Sequence, residues 1–167
     1  MKKILLTILI FTALMAVLGS CQNDLDTTLD DTPSTTPQYG PNFKFYTDSN
    51  LFIESQTKRS SDASNLYNIE SVKREGNKLK INVNYNGGCK DHSFDIVWDG
   101  VVNLSYPGKV NLIVKHNANG DTCEGLVHDS IEIDLNRYFK NIIDSNTTLF
   151  VVSNAFSIKE VSSSTVK

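Results

Sequence analysis

Lys78-Leu79-Lys80-Ile81-Asn82-Val83-Asn84-Tyr85-Asn86 alternates apolar and polar side chains without a fault. Leu79, Ile81, Val83 and Tyr85 fall on one parity, and the lysines and asparagines fall on the other. Successive side chains of a strand leave opposite faces, so the stretch predicts a β-strand with one dry and one wet side. It runs into Gly87-Gly88-Cys89, where a bulge or a sharp exit is expected.

The same pattern extends outward. Residues 66–73 predict a strand joined to this one by the turn Glu75-Gly76-Asn77, as a hairpin. Downstream, His92, Phe94, Ile96 and Trp98 share a parity, with Trp98 as a core residue, and residues 101–104 extend the strand. After Pro107-Gly108, Val110, Leu112, Val114 and His116 alternate again, and a polar turn around Asn119-Gly120 follows. Residues 126–135 carry Ile131, Ile133 and Leu135 on one face, and 148–158 is apolar enough for a central strand. Upstream, Phe43, Phe45 and Tyr46 predict a first strand and residues 51–53 a second; residues 56–65 read as a loop. Tyr138, Phe139, Ile142 and Ile143 have helical spacing within 136–144. Many short strands punctuated by turns point to a mainly β domain. The expectation is an antiparallel β-sandwich (Ig-like) or a small barrel with one short helix, over residues 41–167, an ordinary domain size with a sufficient core.

The first forty residues are built differently. A basic start, Met1-Lys2-Lys3, precedes an apolar run over residues 4–18 that is broken only by Thr7 and Thr12. The run is shorter than the roughly 20 residues a spanning helix needs, and reads as a secretory signal peptide over 1–20. Its end, Leu18-Gly19-Ser20-Cys21, resembles the lipobox of bacterial lipoproteins. That resemblance implies cleavage before Cys21 and acylation of its thiol, anchoring the protein to a membrane that the chain does not cross. Each buried CH₂ of an acyl chain contributes about 0.8 kcal/mol to such an anchor. Residues 22–40 hold four Asp, five Thr and two Pro with almost nothing to bury. Such a segment cannot offset its ordering entropy, so 21–40 reads as a lipidated, flexible acidic tether.

Gln22, rather than Asp, follows the lipobox Cys, which by resemblance to enterobacterial lipoproteins implies the outer membrane. Asp24 and Asp26 resemble the acidic export tag of surface lipoproteins in the Bacteroidota, which leaves periplasmic and surface placement both open. Asp129-Ser130-Ile131 resembles the O-glycosylation sequon of envelope proteins from the same group, and chance within a strand is the alternative. The domain itself also resembles uncharacterised Bacteroidota lipoproteins, through Gly87-Gly88-Cys89-x-x-His92-x-Phe94 followed by His116-Asn117-Ala118-Asn119-Gly120-Asp121-x-Cys123. That likeness implies no activity. Taking Lys2 and Lys3 from the 16 Lys and Arg leaves 14 against 19 Asp and Glu, so the mature chain carries a net charge of −5. Phosphate neutralisation needs basic patches, so nucleic acid is not an expected partner.

The chemistry concentrates in one place. If 92–99 and 109–116 pair antiparallel, as consecutive strands commonly do, His92 and His116 meet at one end of the sheet. Cys89, Asp91, Asn119, Asp121, Cys123 and Glu124 then crowd the same rim. With Cys21 lipidated, Cys89 and Cys123 are an even pair in an exported chain and read as a disulfide. A second reading is a zinc or copper site of Cys89, His92, His116 and Cys123, at spacings that match no standard finger. A third is catalysis, with His92 or His116 as base and Cys89 or Ser93 as nucleophile, although no nucleophile motif accompanies them. His128-Asp129-Ser130 holds triad residue types, but neighbours in a strand face opposite ways. A calcium loop around Asn119-Gly120 would need Lys115 first and Leu126 twelfth, neither a ligand. The reading that results is a non-catalytic binding or structural module of the envelope, meeting a protein or glycan, with a metal-binding or redox role as the alternative.

Overall fold

The computed structural model describes residues 36–57, 65–139, 148–155, 160–162 and 164–165. They belong to one compact unit, Thr32–Lys167. In chain order the described elements are β1 (Gln38–Tyr39), β2 (Phe43–Thr47), α1 (Ser49–Thr57), β3 (Tyr67–Glu75), β4 (Lys78–Gly87), β5 (Ser93–Asn103) and β6 (Lys109–Asn117). Then come β7 (Gly125–Asp134), α2 (Leu135–Phe139), β8 (Leu149–Asn154), β9 (Glu160–Ser162) and β10 (Ser164–Thr165). They form two sheets, ordered β1-β2-β5-β6-β8-β9 and β10-β3-β4-β7.

The fold is mainly β and sandwich-like, and neither sheet closes into a barrel. The alternating stretch is β4, the inner strand between β3 and β7, and Leu79, Ile81 and Val83 are fully buried. With Val72, Ile131 and Ile133 they form one inner face; Phe94, Ile96, Trp98, Leu112, Val114 and Phe150 form the other. Two half-apolar sheets bury both faces at once in this way. At one side α2 adds Leu135, Tyr138 and Phe139, with the Tyr138 ring 4.6 Å from Phe45 and the Phe139 ring 4.8 Å from Trp98.

Three findings differ from the sequence expectations in detail. Residues 51–53 lie in helix α1, not in a strand. Asp48 caps that helix: its Oδ1 accepts the N–H groups of Asn50 and Leu51, both at 2.9 Å, which satisfies donors that a helix start leaves open. Phe52 on α1 then covers Val97 and Ile113 on the outer face of the larger sheet. Pairing is antiparallel within β3–β4, β4–β7 and β5–β6, but β2–β5, β6–β8 and β10–β3 run parallel. Parallel neighbours need long crossovers, and local alternation says nothing about strands that meet only after such a crossover. The sheet also begins at Gln38, inside the stretch assigned to the tether, because Gln38 and Tyr39 pair with β2. The helix expected over 136–144 is seen as Leu135–Phe139; its later residues, and the expected signal peptide and most of the expected tether, lie outside the described residues.

Candidate functional site at the disulfide rim

Strands β5 and β6 pair antiparallel with Phe94 opposite His116 and Ser93 opposite Asn117. This brings the start of one strand and the end of the other to the same rim. Strand β4 delivers the chain there through Gly87, whose partner is Gly125, and Gly88 at φ +107° makes the exit. Gly87 is required for space: a Cβ there would lie 2.6 Å from His92 Cε1 and 2.7 Å from its Nε2. Beyond β6 the turn residues Asn119 and Gly120 both have positive φ, at 53° and 63°. Lys90 Nζ donates to their carbonyls at 3.1 and 2.9 Å.

Cys89 and Cys123 are joined as a disulfide, with Cα atoms 6.0 Å apart. The hub beneath it is Asp121. Its Oδ1 accepts the Cys123 N–H at 2.9 Å; its Oδ2 accepts the N–H groups of Cys89 at 2.9 Å and Lys90 at 3.0 Å. His92 Nε2 adds a fourth donor, 3.2 Å from Oδ2, and both of these side chains are 1 % exposed. The backbone N–H of Cys123 leads the donors that hold the Asp121 carboxyl well below the usual carboxylate range.

The two histidines meet directly, His92 Nδ1 to His116 Nε2 at 2.9 Å. His116 Nδ1 lies 3.1 Å from the Asn65 carbonyl. The Tyr85 ring stacks on His92 at 4.4 Å, and Phe94 stacks on His116 at 5.1 Å. Acceptors at both ends fix the protons. The Asp121 carboxylate takes N–H from His92 Nε2, and the Asn65 carbonyl takes N–H from His116 Nδ1. The central contact then has room for one proton and no more. A second proton at that contact would set two N–H groups against each other. Burial, and next the charge of His92, push the His116 imidazole below its ordinary range against the pull of the Asn65 carbonyl.

The rim therefore gathers Cys89, His92, His116, Cys123 and Asp121, while Asp91, Asn119 and Glu124 are exposed around it. Ser93 is exposed as well, and both nitrogens of His92 are already engaged with His116 and Asp121. His128 lies on the outer face of the smaller sheet, 3.1 Å from Glu70. The Ser130 hydroxyl is buried, so the sequon-like stretch does not offer it to a modifying enzyme. For a metal ion, the sulfurs of Cys89 and Cys123 and a carboxylate oxygen of Asp121 lie within 4.8 Å of one another, but in the disulfide the sulfurs are not thiolates.

Beside the histidines a groove of about 530 Å³ opens between the β1–β2 edge of one sheet and β7 of the other. Asn42, Tyr39, Tyr85 and Asp129 line it. Sequence reasoning passed over this groove, although one signal was available: Asp129 shares the parity of Ile131 and Ile133, so a carboxylate stands where the strand pattern asks for an apolar residue.

No family model matches the chain, and no curated protein does. Among solved structures it is similar to a protein of unknown function (DUF1344) from Bacteroides vulgatus, at 17 % identity and a TM-score of 0.41. The likeness covers 59 % of this chain and 46 % of that one, so the chain spans less than half the length of that protein.

Proposed function

We propose that this is a lipid-anchored protein of the bacterial outer membrane whose β domain serves as a non-catalytic binding or structural module. In this reading residues 1–20 are removed, Cys21 carries the lipid, and 21–40 spaces the domain from the membrane. The observation that carries the anchoring is the motif Leu18-Gly19-Ser20-Cys21 at the end of a short apolar run. What favours binding over catalysis is a rim whose chemistry is closed on itself. The sulfurs are bonded to each other, both imidazoles are engaged at both nitrogens, and the Asp121 carboxylate accepts from four donors. The test is fractionation of expressing cells with Triton X-114, followed by protease treatment of whole cells. The wild-type chain enters the detergent phase and Cys21→Ala leaves it; a wild-type chain in the aqueous phase would overturn the anchor. Digestion of the domain on intact cells assigns the surface, and full protection assigns the periplasmic face.

One observation supports a second reading, the metal or redox protein: Cys89, Asp121 and Cys123 could offer two thiolates and a carboxylate once the disulfide is reduced. Titration of the reduced chain with Co(II) tests it. A thiolate-to-cobalt charge-transfer band that Cys123→Ala abolishes supports the metal site, and its absence from the wild type excludes it.

A further inference from the structure

We propose that the groove between β2 and β7 binds a neutral, hydroxyl-rich saccharide, with Asp129 and Asn42 pairing with neighbouring hydroxyls and Tyr39 packing on the ring's C–H face. This rests on the reading of the domain as a binding module and names its ligand. The groove's volume, about 530 Å³, falls within the roughly 300–1,000 Å³ of small-ligand sites.

Its polar groups converge from both sheets. Asp129 projects from β7 on the core-facing parity at the edge of the sandwich and is only half-buried. The Ser130 N–H holds its Oδ1 at 2.6 Å. Its remaining partners are long: Asn42 Nδ2 at 3.5 Å from Oδ1 and the Tyr85 hydroxyl at 3.4 Å from Oδ2. Bonds of that length are weak, so ligand hydroxyls that approach these groups from the open side of the groove would add shorter ones. Asn42 also reaches the Ser130 carbonyl at 3.3 Å, which fixes the amide across the gap. Burial, and next the Asp129 charge, push the Tyr85 phenol up to about 12, so it stays a donor at neutral pH. Tyr39 also lines the groove and is 61 % exposed, an aromatic plate open to a ligand. A carboxylate, an amide, a phenol and an exposed ring are the donor, acceptor and stacking set that a polyol ring requires.

Charge gives an anionic ligand no advantage. Of the two lysines lining the groove, Lys90 is committed to the carbonyls of Asn119 and Gly120. Lys44 and Lys90 together balance the two lining carboxylates, Asp91 and Asp129, so the groove carries no net positive charge that would favour an anionic ligand over a neutral one.

The experiment is calorimetric titration of the full chain in detergent with cellohexaose, xylohexaose, mannohexaose and maltohexaose, and with a hexameric oligogalacturonate as the anionic counterpart. The expected result is binding of at least one neutral oligomer with a Kd of about 1 mM or tighter, weakened at least tenfold by Tyr39→Ala and by Asp129→Asn. Tyr106→Ala, a change at an exposed residue outside the groove, leaves it unchanged. Circular dichroism confirms that each variant is folded, and Tyr39, being exposed, keeps the test open if Asp129→Asn unfolds. Binding by none of the neutral oligomers, binding of the oligogalacturonate alone, or binding indifferent to both substitutions overturns the inference. The last two outcomes would leave the binding-module reading standing with another ligand or another surface.

Discussion

Replacing Cys89 and Cys123 together by alanine removes the covalent closure of a loop whose ends are 34 residues apart in sequence. The loop contains β5 and β6, two inner strands of the larger sheet. In the chain-entropy account, closing a loop of that length restricts the unfolded ensemble by about 4 kcal/mol, less if the bond is strained in the native state. The native rim keeps a second tie. Asp121 still accepts from Cys123 N–H on one side and from Cys89 and Lys90 N–H on the other, so the folded state holds its shape and the loss falls on the unfolded state. Urea denaturation followed by far-ultraviolet circular dichroism reads the difference. With a slope of about 2 kcal/mol per molar, the midpoint falls by roughly 2 M. Reducing the wild-type protein gives the same shift without mutation. A loss below about 1 kcal/mol in both forms would refute the reasoning, because the loop would then be closed in the unfolded chain by other means or the bond would be strained by as much as it restrains.

Gly87→Ala drives a methyl group against the His92 ring and Asp121 Oδ2, and costs about 1–3 kcal/mol on urea denaturation; Gly76→Ala, with nothing within 4 Å but φ +58°, is the converse case and reads backbone strain without a clash. Ile81→Ala costs about 2–5 kcal/mol, whereas Lys80→Ala on the outer face stays within about 0.5 kcal/mol, so equal effects would contradict the assigned parity. Stability falls in acid in two stages. Burial holds the folded His116 imidazole below its ordinary range, so below a pH of about 6.5 the unfolded chain binds more protons, and the slope reaches at most about 1.4 kcal/mol per pH unit. That contribution is complete above the unfolded value of His116 and is lost as pH falls. Below a pH of about 4 the depressed Asp121 adds a second loss of the same sign. Urea midpoints measured from pH 8 to pH 3 check both stages, and a stability that rises between pH 6.5 and pH 5 would contradict the lowered His116.

The parts of this molecule that follow from neighbouring residues were legible in its sequence. Alternation in 78–86 marks β4 and its dry face, and the alternating runs around Phe94 and Leu112 place His92 beside His116 through simple hairpin pairing. What depends on distant contacts was not legible. The larger sheet's parallel pairs join strands brought together by crossovers through the other sheet, and no local pattern records a crossover. Helix α1 has only three apolar residues in succession, which read as a strand; the decisive signal was the capping Asp48 ahead of them. That helix also explains why Val97 and Ile113, on the outward parity of β5 and β6, are buried. Asp121 looked like one more acid on the rim because its role is to accept backbone N–H groups, and backbone donors carry no side-chain signature. Asp129 was visible as a break in parity among Val127, Ile131 and Ile133, and such a break marks a place where packing has been given up for chemistry.

The most direct test of the account is the mass of the N-terminal peptide of the protein recovered from membranes. The account predicts a peptide that begins at Cys21 and carries a diacylglyceryl group, with residues 1–20 gone. A peptide that begins at Met1, or one cut elsewhere with an unmodified Cys21, would contradict it.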